Sequence, residues 1–275
     1  MLRRWSTLLC AGVLVVGCGS VVGCGSARGE VVAGVPLVAA GRLTTCTNLP
    51  YPPFEYEKDR RVVGFDIDIT GLVAKRLGVR QRVVDFPFEV LKTGTVLNAE
   101  RCDIVAAALA VTRDRERYVD FSAPYFRAVL CVVVHRGTRV SSLADVRHRQ
   151  LRVGVQSGTT GADHTLAAGI DPRAYATVDG QLDALRSGRV EVLVQDCPAV
   201  STWLKDPRHA TAFTTALTID AEQDYAFAVR QGGRPGLRRL IDEVIAAARR
   251  DGTYERLYRK WIGVPPARAA SPEAA

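Results

Sequence analysis

Short apolar runs alternate with amphipathic stretches along the chain, and the alternation starts again about half-way. Residues 43–48 read as a strand that ends before Leu49-Pro50-Tyr51-Pro52-Pro53, a rigid turn. Residues 62–65 lead into a helix with Ile69, Leu72, Val73 and Leu77 on one face, closed by Gly78. Residues 82–85 predict a second strand. Residues 103–109 predict a third, and their unbroken Ile-Val-Ala run implies burial on both faces. Residues 129–134 are strand-like. Then strands at 151–155, 174–178 and 190–195 alternate with helices from Thr159 and over 181–186. A last strand at 225–229 precedes an amphipathic helix over 237–248, with Leu237, Leu240, Ile241, Val244 and Ile245 on one face. The pattern predicts an α/β protein of two lobes, each a mostly parallel sheet flanked by helices. Residues 41–127 and 226–263 fall in one lobe and 128–225 in the other. In such lobes ligands bind at the carboxyl ends of the strands.

The chain's two ends read differently. Arg3 and Arg4 precede an apolar run over 5–17, and Cys18 and Cys24 each follow Val-Val-Gly. Residues 1–23 resemble a lipoprotein signal peptide, with Cys18 or Cys24 as the lipidated thiol; an uncleaved anchor or an ordinary secretory signal are the alternatives. Residues 24–40 then read as a tether without strong period, and 264–275 as a polar, Ala-rich disordered tail. The implied location is the extracytoplasmic face of a cell membrane, by a lipid anchor. Of 275 residues, 47% are hydrophobic and 24% charged, which suits a packed core. The net charge of +8 comes from basic residues scattered along the chain. A nucleic-acid surface would gather them, and only 7% of residues are aromatic, so nucleic acid is not an expected partner.

Gly64-Phe65-Asp66-Ile67-Asp68-Ile69, followed by Val73-Ala74 and Leu77, resembles the signature of family 3 bacterial extracellular solute-binding proteins. Other segments resemble that family in the same order. They are Tyr51-Pro52-Pro53-Phe54-Glu55, then Thr112 to Arg117 with Val119-Asp120-Phe121-Ser122-Ala123-Pro124-Tyr125, then Gly158-Thr159-Thr160-Gly161, and Asp251-Gly252-Thr253-Tyr254 to Trp261. The resemblance implies a type II periplasmic-binding-protein-like fold. It also implies the amino-acid receptor of an ABC importer, a monomer that hands a free amino acid to permease subunits in the membrane.

A zwitterion held in a closed cleft needs a cation for its carboxylate and an anion for its ammonium, because an unpaired buried charge costs several kcal/mol. By resemblance, Arg115 takes the carboxylate through its planar fork. Thr159 and Thr160, at a strand-to-helix turn, share it through the helix start. Asp196 takes the ammonium, and Ala108 and Ala110 stand where the family offers a backbone carbonyl and often a hydroxyl. Neither alanine has a hydroxyl to give. The side-chain pocket is expected from Asn48, Tyr51, Phe54, Phe88, Val90 and Gln156. Asn48 stands where receptors for cationic amino acids tend to carry an aspartate, so a polar uncharged or acidic amino acid is expected. Asp66 and Asp68 read as structural acids that offset the dipole of their helix.

Beyond Cys10, Cys18 and Cys24, four cysteines allow three pairings. Cys131 and Cys197 lie at strand ends expected to be neighbours, and free thiols remain the alternative. The four histidines are dispersed and no CxxC occurs, so neither metal nor cofactor is expected. Two other functions fit the same scaffold: a sensing module for a membrane receptor, and a secreted dehydratase. The second would need Glu55 or Asp196 as general acid or base, and no nucleophile–base pair accompanies either, so an enzyme is not expected.

Overall fold

The computed structural model describes residues 29–264; Cys18, Cys24 and the expected signal peptide and tail lie outside them, Val264 apart. Two five-stranded sheets form the two lobes. The first runs in the order Arg80–Asp85, Arg42–Thr47, Ile104–Val105, Ala228–Arg230, Val119–Phe121. The second runs Arg173–Tyr175, Val153–Gln156, Val192–Asp196, Phe126–His135, Phe213–Tyr225. In each sheet three strands are parallel neighbours, the fourth is antiparallel to them, and the fifth reverses again. The sheets are thus mixed, with one strand in each running against the other four. That strand is the one on which the chain arrives from the opposite lobe. Phe126–His135 carries it out of the first lobe and Ala228–Arg230 brings it back.

The two crossings pair with each other. Ser122 N donates to Phe227 O at 2.9 Å, Phe227 N donates to the Ser122 hydroxyl at 3.1 Å, and Tyr125 N donates to Tyr225 O at 2.9 Å. The Tyr125 and Phe227 rings stack with centroids 4.2 Å apart. Beside them the Phe65–Leu77 helix buries Phe65, Ile69, Val73 and Leu77 on the first lobe and ends at Gly78, which takes a φ of 71° that only glycine adopts without strain. The Pro235–Arg250 and Thr253–Trp261 helices pack on it; Trp261 Nε1 and Lys260 Nζ both donate to Asp68, at 2.7 and 2.8 Å.

Three elements depart from the sequence pattern. Part of the expected tether is a hairpin, Glu30–Val32 with Val35–Leu37, whose Val35 and Leu37 are buried. Three residues of alternation are too few to stand out. The expected strand over 103–109 keeps its ladder only at Ile104–Val105; Ala106 to Ala110 stay buried in irregular backbone. Phe213–Tyr225 is one long strand, and register shifts at Thr215/Leu217 and Asp220/Gln223 break its period of two. Disulfides join Cys46 to Cys102 and Cys131 to Cys197. The second pair is the one placed at neighbouring strand ends. The first depends on Arg42–Thr47 lying beside Ile104–Val105, a register that spacing does not reveal.

The hairpin is locked by a buried ion pair. Arg234, 5% exposed, pairs with the fully buried Asp103 and donates to Pro36 O, while Asp103 also accepts from Val38 N and Thr44 N at 2.8 Å. Removing one partner strands the other charge. Arg234→Ala is expected to lose about 3–5 kcal/mol of stability, read from urea unfolding; a loss below about 1 kcal/mol would show that the pair is dispensable.

Candidate functional site

The carboxyl ends of both sheets face one small cavity, of about 20 Å³. On the first lobe, Asn48 and Tyr51 follow the Arg42–Thr47 strand, Phe88 opens the Phe88–Lys92 helix, and Ala107, Ala108 and Ala110 follow Ile104–Val105. Arg115 opens a single helical turn, Arg115–Arg117, and reaches the same space. On the second lobe, Gln156 ends Val153–Gln156, Thr159 caps and Thr160 begins the Thr160–Ala167 helix, and Asp196 ends Val192–Asp196. Tyr225 completes the wall from the end of Phe213–Tyr225. Ten of the twelve residues expected from the sequence at the ligand site border this cavity. Phe54 and Val90 do not: Phe54 is fully buried among Tyr51, Phe65, Phe126 and Tyr225, and Val90 packs behind Phe88. Ala107 and Tyr225 are the additions. The position of Tyr225 depends on how the crossings pair, which no local pattern encodes.

Arg115 is 5% exposed. Its Nη1 donates to Ala110 O at 2.7 Å, its Nη2 donates across the cleft to Gly158 O at 3.1 Å, and its guanidinium lies 5.5 Å from the Phe88 ring centre. Among the described residues no carboxylate comes within ion-pair distance of it. Burial pulls its pKa down, against the opposing pull of Asp163, Tyr225, Asp196 and Asp114. Asp196 accepts a short hydrogen bond from the Tyr51 hydroxyl, and burial holds its carboxyl above the usual range despite Tyr51, Tyr225 and Arg115. Tyr51 is aimed by a chain of buried amides: its hydroxyl also meets Gln195 Oε1 at 3.0 Å, and Gln195 Nε2 donates to Gln181 Oε1 at 2.9 Å.

The walls touch directly. Gln156 Nε2 donates to Asn48 Oδ1 at 3.3 Å, while Asn48 Nδ2 donates to Phe86 O at 3.0 Å. At the rim the Ser157 hydroxyl donates to Glu89 at 2.8 Å, and Glu89 pairs with Lys92 at 2.9 Å. Thr159 accepts from Ala162 N at 3.4 Å and caps its helix, so the cap and the cavity wall are one residue. The arrangement offers a buried cation and a buried acid on opposite lobes, joined by amides and an aromatic face. It has the form of a site that encloses a small zwitterion.

Residues 43–264 match the family of bacterial extracellular solute-binding proteins, family 3. The chain belongs to that family. It is 29% identical to the putative ABC transporter arginine-binding protein 2 of Escherichia coli strain K12, over 84% of this chain and 96% of the relative. Among solved structures it resembles an ancestral arginine-binding protein bound to arginine, at 31% identity and a TM-score of 0.74, over 81% of this chain and 99% of the other. An ancestral arginine-binding protein bound to glutamine matches at 32% identity and the same TM-score, over 81% and 98% of the two chains.

Behind the cavity of this solute-binding protein sits an acid with a role beyond its helix. Asp66 caps nothing with its side chain. Its carboxylate accepts from Ala108 N at 2.9 Å and from the Tyr125 hydroxyl at 2.6 Å, holding Ala108 at a φ of 45°. Burial raises its pKa to about 7, partly offset by those two hydrogen bonds. Glu55 is fully buried outside the cavity wall, and burial with Asp66 and Asp196 nearby pushes its carboxyl well up. A carboxyl whose pKa is higher folded than unfolded stabilises the fold most below its unfolded value, about 3.9. That contribution is lost as pH rises through about 7. The stability of the protein relative to its Asp66→Asn variant is therefore expected to fall between about pH 4 and pH 7. Urea unfolding in steps across that range measures it, and a difference independent of pH would contradict the raised pKa.

Proposed function

We propose that this chain is the extracytoplasmic receptor of an ABC importer for a polar uncharged or acidic L-amino acid, held at the membrane by lipid on Cys18 or Cys24. The observation that carries the reading is Arg115: buried, facing the cavity, and without a carboxylate partner among the described residues. A buried guanidinium in that state calls for an anion, and Asp196 across the cleft calls for a cation. An amino acid's backbone supplies both. Because the two residues stand on opposite lobes, the ligand gains both partners only when the cleft shuts, which makes closure its consequence. The closed surface is then what a permease recognises. No helix among the described residues is long and apolar enough to cross a membrane. Membrane attachment therefore rests on the Val-Val-Gly-Cys strings at Cys18 and Cys24.

The side-chain wall supports the ligand class. Asn48 and Gln156 present amides and Phe88 an aromatic face, while Asp196 is the acid that lines the cavity. An amide or carboxylate side chain pairs with those amides; a guanidinium meets no charge of opposite sign there beyond Asp196. The relatives named for arginine make cationic amino acids the necessary comparison. Function is binding and not catalysis, in keeping with relatives named as binding proteins.

A thermal-shift screen of the twenty L-amino acids is expected to rank glutamine, asparagine or glutamate above arginine, lysine and histidine; the reverse order would overturn the ligand class and leave the receptor reading intact. By calorimetry with the tightest binder, Arg115→Ala and Asp196→Ala are each expected to weaken affinity by about 30-fold or more, since each strands a ligand charge at about 2–5 kcal/mol. Binding by Arg115→Ala within about threefold of the parent would overturn the carboxylate assignment.

A further inference from the structure

The Tyr225 hydroxyl is buried at the cavity wall, 1% of the residue being exposed, and it meets no partner within hydrogen-bonding geometry. Buried hydroxyls normally have a partner, because an unmade bond leaves the desolvation cost uncompensated. Burial pushes the phenol's pKa well up, the neighbouring Asp196 carboxylate adds to the rise, and Arg115 opposes it. The neighbouring wall brings no hydroxyl: Ala107, Ala108 and Ala110 carry no polar side-chain atom. The Ala110 carbonyl already accepts from Arg115. Tyr225 is bridged to Ala110 through its backbone, so the hydroxyl and that wall are held in one frame.

An ammonium group has three N–H donors. Asp196 offers carboxylate oxygens, one of them already taken by Tyr51. A phenol can accept one hydrogen bond while donating another. We infer that the Tyr225 hydroxyl is a ligand-binding group, accepting from the bound amino acid's ammonium beside Asp196. The inference rests on the amino-acid reading proposed above. It places a ligand contact on the crossing itself, since Tyr225 O accepts from Tyr125 N and Ala226 N donates to Leu109 O at 3.1 Å.

Tyr225→Phe removes only the hydroxyl. The experiment first establishes that the parent binds the tightest L-amino acid of the twenty; a parent that binds none overturns the receptor reading and this inference together. With parent binding in hand, Tyr225→Phe is expected to raise the Kd of that amino acid by at least about fivefold. Its melting temperature without amino acid should stay level or rise, because the hydroxyl is unpaired there. At saturation, the ¹⁵N resonance of the labelled ammonium should shift between parent and variant. A smaller change in Kd, a lowered melting temperature, or an unmoved ¹⁵N resonance each overturns the role of Tyr225 while the receptor reading stands.

Discussion

The Asp66 carboxylate holds together three parts of the molecule. It belongs to the signature helix, it accepts from Ala108 N in the cavity wall, and it accepts from the Tyr125 hydroxyl at the crossing between lobes. Ala108 has a positive φ that a non-glycine residue adopts only when its surroundings compel it. The hydrogen bond that Ala108 N donates to the buried Asp66 carboxyl helps to hold it there. With that bond made, the Ile104–Val105 strand can stop short and turn its following backbone toward Arg115 and the cleft. The irregular, fully buried backbone from Ala106 to Ala110 is thereby satisfied by an acid from one side and by the second crossing from the other, through Ala226 N to Leu109 O and Val111 N to Asp224 O.

On the function proposed above, closure of the cleft is a competition between contacts of the protein with itself and contacts with a ligand. Arg115 to Gly158, Gln156 to Asn48, Tyr51 to Asp196 and Ser157 to Glu89 all join the lobes. The first three use atoms of residues that line the cavity, so a bound zwitterion replaces or shares them. The fourth lies at the rim and is compatible with any occupant. Affinity then reflects a difference: what Arg115 and Asp196 gain from opposite charges, less what the walls gave each other. This favours ligands with full charges at both ends of the backbone. Neutral hydrogen bonds would do little better than those displaced.

Much of the architecture was legible because its periods are strong. The apolar face from Ile69 to Leu77, the Gly78 stop, the second-lobe alternation and the face from Leu237 to Ile245 all stand as elements. The Val35–Leu37 hairpin strand was too short to register, and the bulges of Phe213–Tyr225 erased its alternation. At the cavity, residues at strand ends and turns were readable, since Asn48, Gln156 and Asp196 each sit where a carboxyl end must face the cleft. Those carried by long-range pairing were not. Tyr225 enters through the crossing, Gln195 through its amide chain to Gln181, and Asp66 was read as a dipole acid because its true partners lie 42 and 59 residues away.

The two halves of the site are fixed by different means, and this decides where the freedom to move resides. Asp196 is followed directly by Cys197, whose disulfide to Cys131 ties it to the neighbouring strand, and its backbone N donates to Gln195 Oε1 at 2.7 Å. Arg115 is held to the first lobe through Ala110 O. Arg115 is thus held in part by its own lobe, whereas the Asp196 carboxylate is oriented by the Tyr51 hydroxyl from the opposite lobe. Among the described residues the chain passes between the lobes only through the paired crossings around Ser122–Tyr125 and Tyr225–Phe227. Those segments are stacked and hydrogen-bonded to each other. On the function proposed above, a hinge built this way would convert the attraction of both charges for one ligand into a single closing motion.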